Sequence, residues 1–209
     1  MVMSPVGSSR KTLAEQSVRE LLEAVGAQTP APGGGSAAAL AASMAAGLVQ
    51  MAARFTRARD DYAQVHERMD EVAEEAGTLR ARLLELGERE LYAYERVLEA
   101  FALDPGDPDR EARLLEALSD AADSPLEIAR SALSVASLGA ELAATGNVNL
   151  TGDAITGTAL AEAACCAAAR LAEINLARVP SDPRLDEAAE LTRQASAARA
   201  KALGGKDGT

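Results

Sequence analysis

The chain has 209 residues, of which 48% are hydrophobic and only 2% aromatic, with no Trp, two Phe and three Tyr. That is enough apolar material for a sizeable core, built from Ala, Leu, Val and Met. It excludes a disordered chain and disfavours a β-sandwich. A net charge of −11, from 21 Lys+Arg against 32 Asp+Glu with no basic run, would repel a phosphate backbone and argues against nucleic acid.

In chain order, apolar residues at mixed three- and four-residue steps predict a short amphipathic helix over 12–25, ending at Gly26. A proline- and glycine-rich stretch, Thr29 to Ser36, then opens an Ala-rich helix over about 36–55 with Ser36 as its expected N-cap. Ser43, Gly47 and Gln50 interrupt its apolar run 37–53, which is short of the roughly 20 residues that span a bilayer. It reads as a buried core helix, and no membrane partner is expected.

Apolar residues at Tyr62, Val65, Met69, Val72, Ala76, Leu79, Leu83, Leu86, Ala93, Val97 and Ala100 continue a three-four alternation over about five heptads. They predict one long central helix over 58–103, stopped by Asp104-Pro-Gly-Asp-Pro108. A fourth helix is expected over 109–138, kinked or divided at Ser124-Pro125. A polar loop follows over 139–152, then a second Ala-rich helix over 153–176, a break at Val179-Pro-Ser-Asp-Pro183, and a last helix over 184–202. The fold class is therefore all-α: an antiparallel helical bundle forming one domain over 1–209, with 1–11 and 204–209 as flexible ends.

Few residues are candidates for chemistry. Gly33-Gly-Gly-Ser36 opens a helix and suits either a tight turn or an anion held by backbone N–H groups. No Lys follows the glycines and no strand precedes them, so it is not a Walker loop. Glu90 is the one charged side chain on the long apolar seam. It belongs either at a solvent-open helix crossing or in a pocket where a raised pKa serves acid-base work. Glu88 falls off that face and reads as a solvated charge. Asn147, Asn149 and Asp153 precede the fifth helix, with Asp153 either an N-cap or, with the asparagines, a set of donors and acceptors for a heterocycle. His66, the single histidine, reads as a surface residue, and adjacent Cys165 and Cys166 as small buried thiols without metal-ligand spacing. No secretory signal is visible in 1–10, and a cytoplasmic location is expected.

Three segments together resemble the cyclodeaminase/cyclohydrolase family. They are Pro30-Ala-Pro-Gly-Gly-Gly-Ser-Ala-Ala-Ala-Leu40, Glu88-Arg-Glu-Leu-Tyr-Ala-Tyr-Glu-Arg-Val-Leu-Glu-Ala-Phe-Ala-Leu103, and Gly146-Asn-Val-Asn-Leu-Thr-Gly-Asp-Ala154 followed by Ile174-Asn-Leu176. The resemblance implies an all-helical homodimer, with a folate site in a cleft lined by the glycine loop and the loop before the fifth helix. It implies ring closure of formiminotetrahydrofolate with loss of ammonia, or hydrolysis of the methenyl bridge to 10-formyltetrahydrofolate. Neither requires a metal or a tightly bound cofactor, and the tetrahydrofolate derivative is the substrate. On this resemblance Asp153, Glu90 and Glu88 are catalytic candidates, while Gly33, Gly34, Gly35, Ser36, Asn147, Asn149 and Asn175 bind substrate. A separate formiminotransferase is a candidate partner. The chain departs from the family pattern in three places. Glu88 and Glu90 stand where aspartates are usual, Thr56-Arg-Ala-Arg-Asp60 replaces a Gly-Lys element, and Leu171 replaces an Asn. A non-catalytic dimeric scaffold that binds folate or a small anion is the alternative.

Overall fold

The computed structural model describes residues 11–204. The expected flexible ends lie outside the described residues, except for Lys11 and Gly204. Seven α-helices run in order: α1 (Val18–Val25), α2 (Gly34–Arg57), α3 (His66–Glu90), α4 (Glu95–Phe101), α5 (Arg110–Thr145), α6 (Thr151–Leu176) and α7 (Arg184–Gly204). Among the described residues there is no strand.

α2 and α6 lie side by side, flanked by α3 and α7 respectively, with α5 packed behind them. The pairs α2–α3, α2–α6 and α3–α5 are antiparallel, whereas α5 and α7 run in the same direction. Ser36 and Gln50 of α2 reach Gly87 and Ala73 of α3, Gly34 and Ala45 of α2 face Leu171 and Gly157 of α6, and Arg68 and Arg82 of α3 pair with Glu141 and Glu127 of α5. Small side chains set the spacing. Ala38, Ala39, Ala42, Ala45, Ala46, Ala52 and Ala53 of α2 are all buried. A Cβ on Gly157 would stand 3.2 Å from both the Ala45 carbonyl oxygen and Val49 Cγ2, so α6 approaches α2 closely only with glycine there.

Four expectations need correction. The long helix over 58–103 is broken twice: residues Asp60–Val65 form a 3-10 turn and 91–94 form another turn before α4. The seam itself is real, with Met69, Val72, Ala76, Leu83, Leu86, Val97 and Ala100 buried, but its two ends serve other contacts. At the first break Tyr62 takes a non-helical conformation and its hydroxyl accepts a bond from the Val148 N–H at 3.0 Å. At the second the chain turns so that Val97 and Ala100 join Leu114, Ala117 and Ala121 in a small separate cluster.

The second correction concerns α5, which runs unbroken through Pro125 to Thr145, so the expected loop over 139–152 shrinks to a short connection after Gly146. Leu142 and Ala143 are buried and continue the α5 core face, which outweighs the turn-forming composition of that stretch. Third, Pro125 does not divide the helix. A proline at this place frees the carbonyl four residues back, that of Ala121, and Asn175 Nδ2 of α6 donates to it at 2.8 Å. Fourth, Ser36 is not the N-cap of α2; Gly33 is, and the buried Ser36 hydroxyl donates to the Gly87 carbonyl at 3.0 Å.

α2 and the segment Val148–Leu176 are long and apolar enough to cross a membrane by length and composition alone. In the fold each buries one side in the protein core and leaves the other side open.

Candidate functional site

Four helices converge at the glycine-rich end of α2. Gly35 lies in the first turn of α2, Glu90 is the last residue of α3, Ser124 comes from α5 and Asn175 from the last turn of α6. Glu90 folds its side chain over the glycine. A Cβ built on Gly35 would overlap Glu90 Oε2 and stand 2.6 Å from Cδ and 3.0 Å from Cγ. Any side chain at 35 would therefore evict the carboxyl group.

Glu90 Oε1 is buried with no hydrogen-bond partner, and the buried Ser124 Oγ beside it is also unpartnered. Removal from water pushes the Glu90 carboxyl above its ordinary range, against smaller opposing influences from Ser124 and from the Arg89 charge. The seam reading that set Glu90 apart thus holds: this half-buried carboxyl carries a free acceptor atom. Next to it, a groove of about 400 Å³ runs between the α3–α4 turn and α5, lined by Arg89, Tyr92, Arg96, Asp120 and Ser124 among others. A larger groove of about 830 Å³ lies between α2 and α3, around Gln50, Arg54 and Arg80, and holds none of the expected site residues.

The other candidates divide into two groups. Glu88 is half-buried and accepts a bond from the Ala14 N–H at 3.2 Å, which ties the N-terminal turn to α3. Leu171 packs against Gly34, with its Cδ1 3.6 Å from the place of a Cβ there. Asn175 spends its amide N–H on Ala121. These residues belong to the Gly33–Ser36 end.

Asn147, Asn149 and Asp153 belong to the opposite end. The Asn147 N–H donates to Thr56 Oγ1 at 3.0 Å, which anchors it at the C-terminal turn of α2. The twenty residues of helix from Ser36 to Thr56 put the two groups about 30 Å apart. No single cleft within one chain contains both loops. Asp153 sits in the first turn of α6, not at its cap, because the helix begins at Thr151. Among the described residues, the side chains of Asn149 and Asp153 make no hydrogen bond or ion pair.

Sequence reading passed over Ser124, Thr56 and Tyr62. Ser124 had one signal, the Ser-Pro pair inside a helical pattern; Thr56 and Tyr62 gain their roles only from partners about 90 residues away. His66 sits at the surface as expected, with Nε2 against the Arg59 carbonyl and Nδ1 against Arg57. Burial pushes the Cys165 thiol up to about 12, so it is inert at neutral pH.

An all-α bundle that places a desolvated carboxyl on the glycine-rich start of an Ala-rich helix defines a helical class with an acidic candidate site. The family comparison is more specific: residues 17–195 match the formiminotransferase-cyclodeaminase family, and the chain belongs to it. It is 32% identical over 144 residues to the methenyltetrahydrofolate cyclohydrolase of Methylorubrum extorquens, covering 66% of this chain and 69% of that protein. It is 29% identical over 153 residues to the formimidoyltransferase-cyclodeaminase of Mus musculus, covering 71% of this chain but only 28% of that longer protein. In structure it matches the formiminotetrahydrofolate cyclodeaminase of Thermotoga maritima with a TM-score of 0.82 at 26% identity, covering 93% of this chain and 98% of that one.

Proposed function

We propose that the protein is a folate-dependent one-carbon enzyme. It either hydrolyses 5,10-methenyltetrahydrofolate to 10-formyltetrahydrofolate or cyclises 5-formiminotetrahydrofolate with release of ammonia. The observation that carries this reading is Glu90: a desolvated carboxyl with a raised pKa and one unpartnered oxygen, fixed against Gly35. In the hydrolysis, water adds to the bridging carbon and gives up one proton; the bond from that carbon to one ring nitrogen then breaks as the nitrogen takes a proton and the new hydroxyl loses its own to become the formyl oxygen. A carboxyl that can take and return protons serves these transfers. Asp153 is the second proton carrier and Asn147 and Asn149 orient the pterin, all three supplied by the second chain of the homodimer that the resemblance implies, and the backbone of Gly33 to Ser36 meets substrate oxygens. Support for the folate substrate comes from the family and from the similarity to the Methylorubrum cyclohydrolase.

The test is the loss of methenyltetrahydrofolate, followed against the known spontaneous rate. Acceleration proportional to protein, and reduced by about 10²-fold or more in Glu90→Gln, is the expected outcome. No acceleration with either methenyl- or formiminotetrahydrofolate sinks the reading. The alternative, a folate- or anion-binding scaffold without turnover, draws on Leu171, which sets an apolar side chain against Gly34. Tetrahydrofolate binding in calorimetry without turnover would select it.

A further inference from the structure

Three hydroxyls of α5, on Ser134, Ser137 and Thr145, donate back to the carbonyls of Arg130, Leu133 and Glu141, the usual bond for a Ser or Thr inside a helix. Ser124 of the same helix does not. It is only 7% exposed, yet its Oγ has no hydrogen-bond partner among the described residues. Glu90 Oε1 beside it is a second buried polar atom without one. The hydroxyl lies near enough to favour the ionised carboxylate but makes no direct bond to it.

The surroundings are already engaged. Of the charged residues that line the adjacent groove of about 400 Å³, Arg96 pairs with Asp120, Arg89 with Glu127 at 3.3 Å, and Asp123 with Arg184 at 2.6 Å. The Ala121 carbonyl takes the Asn175 amide at 2.8 Å. The other carboxyl oxygen, Glu90 Oε2, is pressed against Gly35, where a Cβ would overlap it. That leaves Glu90 Oε1 and Ser124 Oγ as the two free polar atoms at this place. Buried polar atoms in a native fold are met by protein, by water or by a ligand. One of these is a carboxylate acceptor and the other a hydroxyl that both donates and accepts, so together they supply two of the roughly two to four partners that hold a water molecule.

We propose that Ser124 is a further catalytic residue: its hydroxyl and Glu90 Oε1 together hold the water that adds to the bridging carbon of methenyltetrahydrofolate. As the water oxygen bonds to that carbon, one of its protons passes to Glu90 Oε1. The second O–H donates to Ser124 Oγ, which fixes the direction of the attacking lone pair. Glu90 is held from one side by Gly35 and its water from the other by Ser124, so the serine of the Ser-Pro pair in α5 has a role that the proline alone does not explain.

The first arm of the test does not depend on activity. A crystal structure of the full chain, with data fine enough to place ordered solvent, is expected to show a water roughly 2.5–3.2 Å from both Glu90 Oε1 and Ser124 Oγ. In Ser124→Ala, which removes no hydrogen bond within the described chain, that water should be gone while Glu90 stays seated on Gly35. A direct bond from Ser124 to Glu90 with no water between them, or a water that persists in Ser124→Ala, overturns the proposal. The second arm rests on the folate reading above. Ser124→Ala should lower kcat for methenyltetrahydrofolate about tenfold with KM unchanged, because the hydroxyl holds the water and not the folate. The acid limb of the pH profile of kcat should also move to higher pH, since the carboxyl loses a neighbour that favours its ionised form. A hydroxyl that only fills space would move neither. Wild-type kcat in a Ser124→Ala chain of unchanged helicity, or a raised KM alone, overturns the assignment. A wild type that hydrolyses no methenyltetrahydrofolate overturns the hydrolytic reading instead, and the crystallographic water then decides the Glu90–Ser124 site by itself.

Discussion

The Glu90 carboxyl occupies the space a side chain at Gly35 would need, so the first turn of α2 and the last residue of α3 are built around one another. The glycine run is thus explained at one position by a close approach rather than by a turn. Gly35→Ala should swing Glu90 out of its place while keeping the helical content, since only the far end of a flexible side chain has to move. Turnover of methenyltetrahydrofolate is expected to drop by about 10²-fold, with far-ultraviolet circular dichroism unchanged. Wild-type turnover in this variant would separate Glu90 from the chemistry.

Glu90 also makes stability depend on pH in a stated direction. Burial raises its pKa in the folded chain, so the native state holds this proton more tightly than the unfolded one. Its contribution is fully present below the ordinary carboxylate pKa and is lost as pH rises through the raised value. Glu90→Gln removes the charge that burial penalises. The variant should match wild type in thermal midpoint near pH 4 and exceed it at pH 7. An equal offset at both values would show that Glu90 is an ordinary, solvated carboxylate.

The Asn175 bond to the Ala121 carbonyl compensates for Pro125, and a double-mutant cycle can measure that. Asn175→Ala should cost about 1–3 kcal/mol in urea unfolding, because it leaves a buried acceptor unsatisfied. Adding Pro125→Ala supplies the missing N–H inside α5 and should recover most of the loss. Additive effects of the two changes would mean that the carbonyl finds another partner.

Contact between α2 and α6 depends on Gly157. Gly157→Val pushes methyl groups into the Ala45 carbonyl and Val49 and is expected to destabilise the fold by about 1–3 kcal/mol. The same substitution at Gly152, where a Cβ meets nothing within 4 Å, is the control and should stay close to wild type. Similar unfolding midpoints for both variants would contradict the close-approach argument.

The fold class was legible in the sequence because helix periodicity is local: the Ala-rich segments, the seam from Met69 to Leu86 and the breaks at Pro105, Pro108 and Pro180 all act within a few turns. Glu90 could be singled out for the same reason, as a charge in an apolar register. What tertiary structure decided was non-local. It broke the long helix at Tyr62, whose hydroxyl is needed by Val148, and carried α5 through Pro125, whose freed carbonyl is met by Asn175. It also placed the glycine loop and Asn147 at opposite ends of α2, which no spacing in the chain records. Periodicity fixes which side of a helix is apolar, but the direction in which a neighbour runs depends on packing between residues tens of positions apart, and that direction determines which polar groups meet.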